Sequence, residues 1–105
     1  MVNDILKAAG IQGKRGRYPT PPAGNYATYL DDITAGGPDH APGVFRHDIT
    51  LELYEPKLDD AAEAELEAAI SAAGLHWVKS DRTWIPSEQV YMVIYDFTYY
   101  EKRRT

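Results

Sequence analysis

Cysteine is absent from the 105-residue chain, which removes disulfides, thiol nucleophiles and zinc–thiolate sites in one step. Secreted domains of this size often carry disulfides, so the absence favours a reducing compartment. Long apolar runs are missing too. The N-terminal Met-Val-Asn-Asp-Ile-Leu-Lys holds no stretch of signal-peptide length, and no segment reaches membrane-spanning length. The expectation is a soluble protein that stays where it is made, with no membrane partner. Basic charge is in short supply, 11 Lys and Arg against 16 Asp and Glu, for a net charge of −5. Phosphate binding needs clustered cations, so the bulk of this surface does not read as a nucleic-acid grip. The cations that do gather, at Lys14-Arg15-Gly16-Arg17 and Lys102-Arg103-Arg104, read as solvated charge at flexible positions.

Signatures of chemistry are equally sparse. The three histidines, His40, His47 and His76, have no partner of ligand type at helical spacing, so no metal site is expected. His47 alternates with core residues and reads as a hydrogen-bonded, half-buried histidine, whereas His76 reads as exposed. Asp39 and His40 form a loop dyad that could do acid–base work, yet nothing nearby supplies a nucleophile or an oxyanion donor. The segment Gly13-Lys-Arg-Gly-Arg17 lacks the glycine spacing and the closing Lys-Ser/Thr of a phosphate loop. The pair Asp59-Asp60 suits a helix start, and Asp31 and Asp32 would point oppositely on a strand. The expectation is a protein without cofactor or catalytic residues.

What the chain does have is pattern. Val2, Ile5, Leu6 and Ala9 recur on one helical face, with Asn3 or Asp4 as a cap and Gly10 as a stop. Residues 12–24, rich in Gly, Pro and cations, read as an extended arm. Asn25 to Asp31 is a first strand, and Asp32 to Gly43 a long turn-rich loop of the kind that is often functional. From Phe45 to Tyr54, Phe45, His47, Ile49, Leu51 and Leu53 alternate strictly with polar residues, the mark of a sheet with one buried and one wet face. Asp59-Asp60 then open a helix with Ala62, Leu66, Ala69, Ile70 and Ala73 on its inner face, Glu63, Glu65 and Glu67 on the remainder, and Gly74 at its end. Leu75 to Arg82 is a third strand, Thr83 to Ser87 a turn, and Gln89 to Glu101 a last strand that is apolar on both faces and so central or under an interface.

These elements give an α+β fold, a mainly antiparallel four-stranded sheet in the order α-β-β-α-β-β with one amphipathic helix on one face. Residues 1–105 form a single domain, divided as 1–24 short helix and arm, 25–101 core and 102–105 basic tail. Eight tyrosines against two Trp and two Phe add half-polar rings suited to sheet faces and interfaces. Trp84, flanked by polar residues and Ile85-Pro86, needs a surface to pack on, its own or a partner's.

The stretches Gly24-Asn-Tyr-Ala-Thr-Tyr-Leu-Asp-Asp32 and Phe45 to Glu55, the acidic Ala-rich helix, Trp77, Asp81-Arg-Thr-Trp-Ile85 and Gln89 to Lys102 together give the chain a resemblance. It resembles the small tail-terminator, or tail-completion, proteins of long-tailed bacteriophages, particularly phages of Gram-positive bacteria, from about Tyr18 to Lys102. The resemblance implies the small α+β sandwich shared by such proteins and tube proteins. It implies a structural virion protein of the tail–neck region, assembled in the host cytoplasm into a ring, as a rule a hexamer. That ring caps the tail tube and joins it to the head–neck connector. Its partners would be further copies of itself, the tail-tube protein and a neck protein, with DNA passing through unbound by sequence. Head-closure and adaptor proteins of the same neck share these features and stand as an alternative, as does a small cytosolic ligand-binding protein that would gather His47, Asp96 and tyrosine hydroxyls in one pocket. The interface candidates are the loop from Asp32 to Gly43 with Asp39 and His40, Trp84, the tyrosines Tyr95, Tyr99 and Tyr100 of the last strand, and Tyr18 and Tyr29. A third use, partner binding through the Pro-rich Tyr18–Pro22, also follows from composition.

Overall fold

The computed structural model describes residues 1–35 and 43–103. In chain order the elements are α1 (Val2–Ala9), β1 (Gln12–Arg15), β2 (Tyr26–Ala35), β3 (Val44–Glu55), α2 (Asp60–Ala72), β4 (Trp77–Lys79), β5 (Thr83–Ile85) and β6 (Val90–Lys102). The α+β class stands. The sheet is six-stranded and mixed rather than four-stranded and antiparallel, ordered β1-β2-β3-β6-β4 with β5 also on β6.

Each difference has a local cause. The first part of the expected arm is β1, which runs parallel to β2 with Gln12 beside Tyr26 and Arg15 beside Tyr29. Composition hides it, but two features hold it. Gly13 has no Cβ, and a methyl there would collide with Leu6 of α1, so the helix can lie directly over the strand. The Gln12 amide donates to the carbonyls of Ala23 and Asn25 at 2.9 and 3.0 Å, fastening the returning loop. The expected turn at Thr83 contains β5, paired through Trp84 and Tyr91, and the third strand shrinks to Trp77–Lys79. β2 runs on to Ala35, into the expected loop. Lys102, assigned to the tail, ends β6, and the Arg103 N–H bonds the Gly43 carbonyl at 2.7 Å.

The helix ends follow capping chemistry unevenly. Asp59 caps α2 by accepting from the Ala62 N–H at 3.0 Å, as expected for an acidic helix start. Met1 occupies the cap position of α1 without a side-chain bond, so neither Asn3 nor Asp4 plays that part. Asn3 instead accepts from the Tyr29 hydroxyl at 3.2 Å. Gly10 and Gly74 both take positive φ, at 71° and 79°, and end their helices as read.

Both helices cover one face of the sheet, where the expectation was one. Val2, Ile5, Leu6 and Ile11 join Ala27, Tyr29, Ile49, Leu51, Leu53, Leu66, Ile70, Val93, Tyr95 and Phe97 in one core. The alternation of β3 is obeyed: His47, Ile49, Leu51, Leu53 and Glu55 point to the helices and are buried. The inner face of α2 holds Leu66 and Ile70 as expected, with Ala69 packed beside them; Glu63 joins it, and Ala73 is exposed instead. β6 lies between β3 and β4, the internal place its two-sided apolarity demands.

Candidate functional site

Pairing divides the sheet into two parts. At one end β1 covers β2 through Tyr29, while β5 and β4 cover β6 through Phe97. Beyond these limits only β2, β3 and β6 continue, as a three-stranded tongue in which Leu30 is level with Thr50 and Asp96, and Ala35 with Phe45 and Glu101. Among the described residues, Leu30–Ala35 and Thr98–Lys102 pair on one side only.

The interface candidates fall unevenly across these parts. Tyr95 is wholly buried at the heart of the core, edge-on to Trp77, with its hydroxyl donated to Glu67 at 2.7 Å. Burial, then that bond, pushes its hydroxyl's pKa well up. Tyr29 is buried as well, so neither ring is available to a partner in the folded chain. Tyr18 is half-buried, edge-on to Tyr26, with the proline segment laid on the uncovered sheet face near Thr28, Leu30 and Glu52. Trp84 is 45% exposed and tilts against Tyr91 alone among the aromatic rings. Tyr99 stacks on His47, and Tyr100 stands exposed on the tongue's uncovered face. Asp39 and His40 lie outside the described residues.

Two polar clusters sit on the helix-covered face. In the tongue, buried His47 is held between two carboxylates, with Nδ1 2.9 Å from both Asp31 oxygens and Nε2 2.8 Å from Glu101. The imidazole thus has a carboxylate partner at each ring nitrogen. Those bonds, first the one from His47 and then one from Arg103, hold the Glu101 carboxyl below its usual range. Tyr99 lies parallel to the imidazole at 4.4 Å. The arrangement locks His47 as a structural clamp across all three strands. The pocket imagined for His47 and Asp96 does not form: the register puts His47 on the helix face and Asp96, level with Thr50, on the other.

At the other end, Glu63 is buried on α2 and takes bonds from Arg82 at 3.0 and 2.7 Å and from Lys79 at 2.7 Å. Lys79 also reaches Glu67, and Arg82 reaches Asp60. Beside it Glu55 is fully buried, and neither of its oxygens receives a hydrogen bond of good geometry. Burial, and then the neighbouring Glu63, push the Glu55 carboxyl up to about 8. The shift favours the neutral acid, whose proton would point at Glu63. Burial also acts to raise Glu63, but Arg82 and Lys79 outweigh it and hold this carboxyl low. Sequence reading missed both acids, since Glu63 was assigned to the wet side of α2. The one signal was position: Glu55 continues the buried row of β3.

Concavities are open and shallow. One of about 710 Å3 lies on the uncovered face beside the β4–β6 notch, between Leu75, His76 and Val78 on one side and Thr98 and Tyr100 on the other. Among the described residues no group of His, Asp and Glu is arranged to hold a metal ion, and no helix is long and apolar enough to cross a membrane.

The sequence matches no protein family and no curated protein. The fold does find similar solved structures. One is a chain in a structure titled "Virion of native gene transfer agent (GTA) particle", similar at a TM-score of 0.57 and 16% identity over 90% of this chain and 81% of that one. At that identity the likeness is one of fold.

Proposed function

We propose that this protein is a structural component of a phage or phage-like virion, and more narrowly a tail terminator: a ring of copies that caps the tail tube and meets the neck connector. The observation that carries the reading is the fold shared, over most of both chains, with a chain of a virion particle. The resemblance of the β2, β3, α2 and β6 sequences to tail terminators supplies the narrower role. A protein of this kind acts by assembly rather than by chemistry. The polar clusters suit that, because His47 and Glu63 have their hydrogen-bonding capacity taken up inside the fold. The alternative within the same class is a head-closure or adaptor protein of the neck.

Size-exclusion chromatography with light scattering, together with negative-stain imaging, tests the proposal. A discrete ring is expected, or a monomer that closes into a ring on the ends of tail tubes assembled from the parent particle's tube protein. A strict monomer that never binds tube ends removes the terminator reading. Binding to the connector alone selects the adaptor.

A further inference from the structure

Among the described residues, the two edges of the tongue that carry no further strand lie on opposite sides of one three-stranded unit and at matching heights. Leu30 is level with Asp96 and Ala35 with Glu101, so the open stretch of β2 and the open stretch of β6 overlap along the strand direction. Both strands are antiparallel to β3 and therefore run the same way. A second copy set beside the first, by rotation about an axis along the strands, brings its β2 against the first copy's β6 in parallel. An uncovered edge of this kind is a template for another strand, and proteins that remain monomeric usually blunt it with proline, a bulge or charge. Leu30–Ala35 and Thr98–Lys102 contain no proline and pair with β3 without a bulge; charge is the one such device they carry, at Asp31, Asp32, Glu101 and Lys102.

We propose that β2 of one copy adds to β6 of the next through main-chain hydrogen bonds, joining copies head to tail into one continuous sheet. This inference rests on the reading of the protein as an assembling virion component, and names the surface by which it assembles. Four observations converge on it. Leu30, Ile33 and Tyr100 are large apolar side chains left 56%, 40% and 51% exposed, and all three stand on the open edges. Val78, 69% exposed, borders the notch where β4 stops. The wide groove of the uncovered face runs along the open edge of β6 between Val78 and Tyr100, and gives an added strand room for its side chains. Charge then selects the pairing. Asp32 is level with Asp48 and so with Thr98 on the uncovered face, and it forms no ion pair among the described residues. A twofold contact of β2 with β2 would set the Asp31 and Asp32 acids of one copy against those of the other, whereas β2 against β6 at equal height sets Asp32 beside the uncharged Thr98. Heterologous contacts between identical neighbours close into rings when the rotation allows.

The absence of cysteine makes the test direct. Asp32→Cys, Thr98→Cys and the double variant of the full chain are oxidised under assembling conditions, alone or on tail-tube ends. A second set, Thr34→Cys with Tyr100→Cys, samples a further pair at equal height. The expected result is a covalent ladder from at least one double variant, rising to the ring size, with each single variant left uncrosslinked. Dimers from a single variant would show a twofold contact and overturn the proposal. Rings from the parent chain with no ladder from either double variant would overturn it while leaving the terminator reading intact. A parent chain that never assembles removes both.

Discussion

The covered half of the sheet and the tongue are built from the same three strands, yet they satisfy the same physical demands differently. In the covered half, flanking strands close the edges, two helices close one face, and the side chains between them are fully buried. In the tongue, β2, β3 and β6 run on without flanking strands among the described residues, and a polar clamp centred on His47 takes the place of a hydrocarbon core. The difference teaches where stability resides and where it has been left out. The covered half makes the fold, and the tongue carries surface that a compact monomer does not need.

The largest expected contrast is therefore between Leu51 and Ile33. Leu51 is fully buried between Tyr29 and Tyr95, and Leu51→Ala should cost about 3–4 kcal/mol of unfolding free energy, as for other large-to-small changes in tight cores. Ile33 is 40% exposed on the open edge, and Ile33→Ala should cost no more than about 0.5–1 kcal/mol in the monomer. Urea denaturation of both variants measures the contrast. Equal costs would mean that the tongue is part of the core after all.

The second effect separates the two polar clusters. Glu63→Gln leaves Lys79 and Arg82 facing an uncharged amide; these partners are 27% and 32% exposed and can turn partly to water. The expected cost is about 2–3 kcal/mol, below that of breaking a fully buried pair. His47→Phe keeps a ring to stack on Tyr99 but loses the bonds to Asp31 and Glu101, and should cost about 1–2 kcal/mol. Thermal unfolding of the two variants ranks them. If the His47 variant is the weaker, the tongue is the better-braced half.

How far all this could be read in the sequence follows the same division. Strict alternation located β3 and its buried row, an Asp pair and a glycine bounded α2, and two-sided apolarity placed β6 inside the sheet. Those signals are local and periodic. The parallel strand β1 was not legible, because Gln12–Arg15 has no strand-like side chains and is held by Gly13 under Leu6 and by the Gln12 amide. The tongue was legible only as a strand and a loop. Its open edges depend on where β1 and β4 stop, which is a property of three-dimensional pairing. The His47 clamp joins residues far apart in the chain, and only His47 itself announced its burial by alternation. Tyr95 and Tyr29 show the converse error: tyrosines counted as interface material on composition are core residues whose hydroxyls reach Glu67 and Asn3.

The smallest effect at neutral pH, and the one with the most definite sign, belongs to Glu55. Its carboxyl is raised from 4.5 to about 8 in the folded chain, by burial first and then by Glu63. Between those values the folded protein keeps a proton that the unfolded chain has released, so stability from this group is full below about 4.5 and is lost as pH rises to about 8. Glu63 is shifted the opposite way, and its contribution is lost only as pH falls below the ordinary carboxylate range, so the two windows do not overlap. Glu55→Gln replaces the neutral acid with an amide of nearly the same shape that still donates to Glu63 and does not titrate. It should match the parent within about 1 kcal/mol near pH 5, and its advantage should then grow through pH 7 and level off above pH 8. Urea denaturation at pH 5, 7 and 9 reads the slope directly. His47→Phe, which alters only the tongue, should leave that alkaline slope in place. If instead the parent and the Glu55 variant run parallel across the range, Glu55 is ionised in the folded state and the buried pair is held by its cations alone.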